Sequence, residues 1–180
     1  MWPNRLAPLG ERPPQAGEGV TVLTQVNVRA VGDVVARVSE ALGVALPVEP
    51  NTVATVGERS VLWLGPDEWL IVDTQSTPEE IEAQVRASFA PDWGSVVDVS
   101  ANRTVIELSG PRARELLAHG CSLDLHPRSF GPGDCAQTLL AQTAVILWQT
   151  DDAPTFKIFV RASFAAHLTR WLADAAVMSS

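Results

Sequence analysis

The chain reads as an α+β protein of antiparallel sheets with helices packed on them, and three observations lead there. Short runs rich in Val, Ile and Thr alternate apolar with polar residues along most of the length. Between them lie segments carrying a single apolar stripe at helical spacing. The elements also come round twice in a similar order: strand, helix, two or three strands, helix. Alternation is what a sheet with one packed face requires, and a one-striped helix is what covers that face. The expected organisation is an extended tail over 1–19 followed by one domain over 20–180, in two pseudo-repeated halves of about 20–92 and 93–180.

Each element has a local reason. Val20 to Ala30 alternates as a strand, and Asp33 is placed to cap a helix whose apolar positions are Val34, Val35, Val38, Ala41 and Leu42. Gly43 stops it, since glycine accepts the left-handed conformation of a helix end. Strands follow at Val53–Val56, Ser60–Leu64 and Glu68–Val72, the last two joined by Gly65-Pro66-Asp67. Thr77-Pro78-Glu79-Glu80 is a helix start with the ingredients of a capping box, and Ile81, Val85 and Phe89 continue it as one stripe until Pro91. The second half opens with strands at Ser95–Val99 and Arg103–Leu108. Ser109-Gly110-Pro111 introduces a helix with Ala113, Leu116 and Leu117 inward, and Ser122 to Phe130 is irregular with room for one helical turn. Cys135–Ala141 and Ala144–Gln149 read as paired strands, although Gln142-Thr143 is a poor hairpin dipeptide. Thr155–Val160 is the last strand, and a helix over about 163–176 buries Phe164, Leu168, Trp171, Leu172 and Ala175.

Composition narrows the function classes. A formal charge of −8 and a pI near 4.8 repel phosphate backbones and anionic headgroups, so neither nucleic acid nor a membrane surface is an expected partner. Lys157 is the single lysine, which leaves Schiff-base chemistry one candidate. Two cysteines make no disulfide framework and suit a reducing compartment. The first nineteen residues, with Pro3, Pro8, Pro13 and Pro14, lack the apolar stretch of a signal peptide, so a cytoplasmic location is expected.

The residues that could carry chemistry are few. His119, Cys121, His126 and Cys135 are the one plausible metal set, but ligands of a zinc site come in tight pairs and these do not. Two buried thiols and two surface histidines are the plainer expectation, with His167 on the solvent side of its helix. No nucleophile elbow, phosphate-cradling loop or dinucleotide fingerprint is present; in Gly131-Pro132-Gly133 the proline removes an N–H that a phosphate would need. Glu79-Glu80 and Asp151-Asp152 suit capping and solvation. Asp67-Glu68 stands apart because Trp63 and Trp69 bracket it, which suggests core packing beside a turn or else a ligand or subunit surface.

Two segments go beyond generic patterning. Trp63-Leu64-Gly65-Pro66-Asp67-Glu68-Trp69-Leu70-Ile71-Val72 resembles the strand-turn-strand of sarcosine oxidase gamma subunits. Val97-Asp98-Val99-Ser100, followed by Arg103 to Leu117 with Gly110-Pro111-Arg112-Ala113, resembles the aspartate-x-serine and glycine-proline-x-alanine signature shared across the glycine-cleavage T-protein superfamily. Gly120 to Phe130 and Cys135 to Leu140 narrow the resemblance again to the gamma subunit. A T-protein usually has His after the Asp-x-Ser, and here Ala101-Asn102 stand there, which argues against independent folate chemistry.

The resemblance implies a T-protein-like fold and a noncatalytic place in a heterotetramer with alpha, beta and delta subunits. Such an assembly oxidatively demethylates sarcosine to glycine and passes the one-carbon unit to tetrahydrofolate. FAD, FMN, NAD, zinc and tetrahydrofolate are then expected on the partner subunits, with no catalytic, cofactor-binding or metal-binding residue in this chain. The alternatives are a stand-alone folate-binding or aminomethyltransferase-like protein, and a purely structural or repair-type adaptor. A chain that works inside a complex should show apolar anchors, and Trp2, Trp93 and Phe130 are the candidates because each lies in a tail or a loop rich in Pro and Gly.

Overall fold

The computed structural model describes residues 23–178. The expected tail over 1–19, and Trp2 with it, lies outside the described residues. Two compact units divide at Asn102 and Arg103, and each is built from its own sheet and helices.

In the unit that ends at Asn102, β1 (Thr24–Ala30) is followed by α1 (Asp33–Leu42). A meander of β2 (Val53–Val56), β3 (Arg59–Gly65) and β4 (Glu68–Asp73) comes next. Then come α2 (Pro78–Arg86), a single 3-10 turn over Ala87–Phe89, and β5 (Gly94–Asp98). The five-stranded sheet runs β2-β3-β4-β1-β5, antiparallel throughout. Strand alternation sends Val26, Val28, Ala30, Val61, Trp69 and Ile71 to one face, where they meet Val34, Val38 and Leu42 of α1 and Ile81 and Val85 of α2.

Local chemistry explains the ends of these helices. Thr77 Oγ1 accepts from the Glu80 N–H while the Glu80 carboxylate accepts from the Thr77 N–H, a complete capping box with Pro78 at the first helical position. Gly43 ends α1 at φ 67°, in the left-handed region. The expectation for Asp33 is corrected: it is the first residue of α1, the cap position belongs to Gly32, and no side chain caps it. The Val34 and Val35 N–H groups bond to the Val31 and Gly32 carbonyls instead. Ala41, expected in the apolar stripe, is exposed.

The second unit contains β6 (Arg103–Ser109), α3 (Ala113–Ala118), β7 (Cys135–Leu140), β8 (Thr143–Asp151) and β9 (Thr155–Arg161), then a 3-10 turn over Ala162–Phe164 that leads into α4 (Ala165–Met178). Its sheet order is β6-β9-β8-β7. Leu108, Leu147, Phe156, Ile158 and Val160 pack against Leu116 and Leu117 of α3 and Leu168 and Leu172 of α4. Phe164, expected inside, is 47% exposed because the 3-10 turn breaks the helical spacing that would have aimed it at this core. The β7–β8 turn also differs from expectation. Leu140 pairs with Thr143, so the turn residues are Ala141 and Gln142, both at positive φ (49° and 63°), the geometry of a tight hairpin turn.

The boundary falls later than the expected 92/93. β5 pairs with β1, from Val26↔Asp98 to Ala30↔Gly94, and therefore belongs to the first sheet. Apart from β5, which follows α2 and adds a fifth strand beside β1, each unit reads strand, helix, three strands, helix, and the two sheets share one order, with the first strand beside the last of the three that follow α1 or α3.

Candidate functional site

The tryptophan-bracketed hairpin is a packed and electrostatically tied structure. Trp63 and Trp69 are direct cross-strand partners on the face turned toward the helices. Trp69 is 1% exposed, and its indole N–H donates to the Pro47 carbonyl at 2.8 Å. Of the two sequence readings, core packing is the one this geometry supports. The acidic pair faces β1: Arg29 donates to both Asp67 oxygens at 3.0 and 3.2 Å, and Asn27 Nδ2 donates to Glu68 Oε1 at 2.8 Å. Both carboxylates thus hold the hairpin tip to its neighbouring strand.

The aspartate-x-serine segment is a clasp at the end of β5. Ser100 Oγ accepts from the Gln25 N–H at 2.9 Å and donates to Asp98 Oδ1 at 2.6 Å, and Asp98 Oδ1 also accepts from the Ser100 N–H. The Val99 N–H completes the junction on the Gln25 carbonyl at 2.8 Å. These polar atoms are engaged in joining β5 to β1.

In the glycine-proline-x-alanine segment, Gly110 takes φ 120°, a conformation open to glycine, and its carbonyl accepts from the Ala113 N–H to start α3. Arg114 on α3 was not singled out from sequence. Its guanidinium donates to the Leu125 carbonyl, to the Phe130 carbonyl at 2.9 Å and to Gln149 Oε1 at 2.7 Å, and it lies over the Phe156 ring at 5.5 Å. With no carboxylate among these partners, Arg114 serves as a multi-point staple for the irregular segment before β7. Asp124 organises the same segment: the His126 N–H and the Ser129 hydroxyl donate to its carboxylate and hold its pKa below the ordinary value.

A second cluster escaped sequence reading. An open recess of about 270 Å³ is bordered by Leu42, Val44, Glu58, Arg59, Asp73 and Ser76. Arg59 Nε donates to Asp73 Oδ2 at 2.8 Å, and the side chains are only 14% and 4% exposed. Arg59 also reaches the Leu42 carbonyl at 2.7 Å, Gln84 Oε1 at 3.2 Å and Ser76 Oγ at 3.1 Å. Burial pushes the Asp73 carboxyl up, but the N–H groups of Gln75 and Ser76 and the Arg59 guanidinium outweigh it and hold the pKa below the usual carboxylate value. The cluster ties the meander to the end of α1, to Ser76 ahead of α2 and to Gln84 on α2. The faint signal was an Arg and an Asp at opposite ends of two apolar runs, Arg59 to Gly65 and Glu68 to Asp73, which an antiparallel pairing brings together.

The remaining sequence candidates scatter. Among the described residues no three of His, Cys, Asp and Glu come close enough to hold a metal, so His119, Cys121, His126 and Cys135 are not assembled. Both thiols are buried and form no disulfide, and His119, His126 and His167 are exposed. Phe130 is corrected as an exposed anchor: it is 4% exposed, packed in the core of its own unit and stacked on Phe156 at 6.5 Å between ring centroids. Trp93 is 63% exposed. Among the described residues no helix is long and apolar enough to cross a membrane.

Comparison with known proteins gives this arrangement a context. Residues 28–178 match the model of the sarcosine oxidase, gamma subunit family. The sarcosine oxidase subunit gamma of Corynebacterium sp. (strain P-1) is 43% identical over 87% of this chain and 77% of its own length, and that of Arthrobacter sp. is 40% identical over the same shares. Among solved structures, a chain of the heterotetrameric sarcosine oxidase from Corynebacterium sp. U-96, in complex with pyrrole 2-carboxylate, superposes with a TM-score of 0.87 at 37% identity, over 96% of this chain and 88% of that one. The glycine cleavage system aminomethyltransferase T from Bartonella henselae superposes at 0.63 with 14% identity over 85% of this chain and 44% of that one, a likeness of fold. The fold is thus α+β, with two antiparallel sheets and helices, and T-protein-like. On the match across most of its length, the chain belongs to the sarcosine oxidase gamma subunit family.

Proposed function

We propose that this chain is a noncatalytic, structural subunit of a heterotetrameric sarcosine oxidase working in the cytoplasm. In this reading it assembles with alpha, beta and delta subunits that carry FAD, FMN, NAD and zinc. The assembly oxidatively demethylates sarcosine to glycine and transfers the one-carbon unit to tetrahydrofolate. The observation that carries the reading is the near end-to-end superposition on a chain of such a heterotetramer.

The chemistry of the signature residues supports it. Asp67, Glu68, Asp98, Ser100 and Arg114, polar residues within the two family segments, are engaged in hydrogen bonds that fix strands and loops. Each of these bonds has a structural role within the chain, which is what a scaffold subunit requires.

Co-expression of the full chain with the alpha, beta and delta subunits of its source tests this directly. The chain should copurify with the flavin-containing subunits, and alone it should be colourless and inert toward sarcosine. Sarcosine turnover by the isolated chain would refute the proposal. Quenching of its tryptophan fluorescence by micromolar tetrahydrofolate would favour the stand-alone folate-binding alternative instead.

A further inference from the structure

The charge of this chain is confined to one of its two units. Residues 22–102 hold twelve Asp and Glu against four Arg, an excess equal to the whole formal charge of −8, and the rest of the chain is balanced. All four arginines are consumed internally: Arg29 by Asp67, Arg37 by Asp92, Arg59 by Asp73 and Arg86 by Glu82. The uncompensated negative potential of this unit therefore meets whatever approaches it.

One apolar spot stands in that field. Val31, Trp93 and Val97 are 51%, 63% and 50% exposed. They belong to one place in the sheet: Ala30 pairs with Gly94, so Val31 and Trp93 leave the β1–β5 ladder together, and Val97 sits on β5 opposite Asn27. The numbering parity of Asn27 and Arg29 continues to Val31, Trp93 and Val97, the parity by which strand residues share a face.

Trp93 is also held in place. Arg37 donates to the Ser88 carbonyl at 2.9 Å and to Asp92 at 2.6 Å, which pins the preceding residue to α1. The following residue, Gly94, lies so close to the Phe89 ring that an added Cβ would come within 2.2 Å of it. The backbone on both sides of Trp93 is thus fixed, so less freedom is lost when the exposed indole is buried on binding, which suits an interface anchor. Asp33 and Asp92 stand close in sequence to Val31 and Trp93, Asp92 being bonded to Arg37, so the acidic setting of the spot is the net charge of the unit as a whole.

We propose that Trp93, with Val31 and Val97, docks this acidic unit onto a basic protein surface of a partner subunit, one with an apolar hollow rimmed by Arg or Lys. The inference rests on the reading of the chain as a subunit. A second copy of the chain is the disfavoured occupant, because it would set acidic rim against acidic rim at full desolvation.

The test uses the full chain and a complex of the alpha, beta and delta subunits immobilised through one of them. Failure of the wild-type chain to bind refutes the subunit reading itself, and this inference with it. Once wild-type binding is in hand, Trp93→Ala should weaken it roughly 30-fold or more, as truncation of a central aromatic anchor does. Val97→Asp should act in the same direction, and both variants should keep the wild-type melting temperature because the side chains are exposed. Asp33→Lys should slow association several-fold at low ionic strength, and the difference should shrink as salt is raised. Asp152→Lys, in the balanced unit, should change the rate less. Binding of both Trp93→Ala and Val97→Asp within two-fold of wild type would overturn the proposal while leaving the subunit reading intact. Faster association of Asp33→Lys, or a wild-type self-association that Trp93→Ala abolishes, would overturn the basic partner.

Discussion

Asp73→Asn is the most informative single change in this molecule, because the substitution keeps the shape of the side chain and removes its charge. Asn can still accept the Gln75 and Ser76 N–H bonds, so what is lost is the ionic partner of Arg59. Removing one member of a buried ion pair costs about 3–5 kcal/mol. Two features lower that figure here. Arg59 keeps its bonds to the Leu42 carbonyl, Gln84 and Ser76, and the open recess beside it admits water. The expected loss is about 2–3 kcal/mol, equivalent to a fall of roughly 5–10 °C in Tm for a chain of this size.

Urea denaturation of wild type, Asp73→Asn, Arg59→Met and the double variant measures the loss and isolates the pair's coupling. The pH dependence has a definite sign. The carboxyl pKa is lowered by folding, so its stabilisation is fully present above the unfolded carboxylate value near 4 and disappears as pH falls through the folded value. The gap between wild type and Asp73→Asn should therefore stay constant from about pH 6 to 8 and close in acid. A loss under about 0.5 kcal/mol at neutral pH would refute the reasoning, because that is the scale of ordinary surface substitutions. A gap that persisted undiminished in acid would refute it equally.

Three further outcomes follow from individual contacts. Arg114→Met should cost about 2–4 kcal/mol in denaturant unfolding, because it strands the Leu125 and Phe130 carbonyls and Gln149 Oε1, and Gln149 is fully buried. Ser100→Ala should cost about 1 kcal/mol by the same measurement, through loss of the bonds to Gln25 and Asp98. Gln142→Gly should raise stability by about 0.5–1 kcal/mol, since Gln142 is exposed and sits at φ 63°, where a side chain is strained.

Elements governed by neighbours in sequence were legible, and features created by distant pairing were not. The capping box at Thr77, the glycine stop at Gly43 and the span of β2 follow from local spacing alone. Asp33 misled because an acidic residue suits both the cap and the first turn of a helix, and Gly32 took the cap. Alternation announces β5 as a strand without naming its neighbour, and the pairing with β1 is settled across the whole unit. Phe130 sits in a loop rich in Pro and Gly, a setting that suggests exposure, yet Arg114 gathers that loop onto the Phe156 core. The Arg59–Asp73 pair was invisible for the same reason, since its members become neighbours only through the β3–β4 hairpin and its surroundings. Trp93 was legible as exposed; the charge imbalance that gives it a setting became visible once the unit boundary was known.

The position of β1 makes it the keystone of its sheet. The meander β2–β3–β4 joins neighbours through short turns, whereas β1 must come back across α1 and insert between β4 and β5. That closure carries the larger entropic cost of assembling the sheet. A proteolytic nick that removed Thr24–Ala30 would orphan β5 and strip β4 of one of its two neighbours, and the Gln25 backbone that grips Val99 and Ser100 would go with it. The integrity of the acidic unit is therefore vested in seven residues near its beginning.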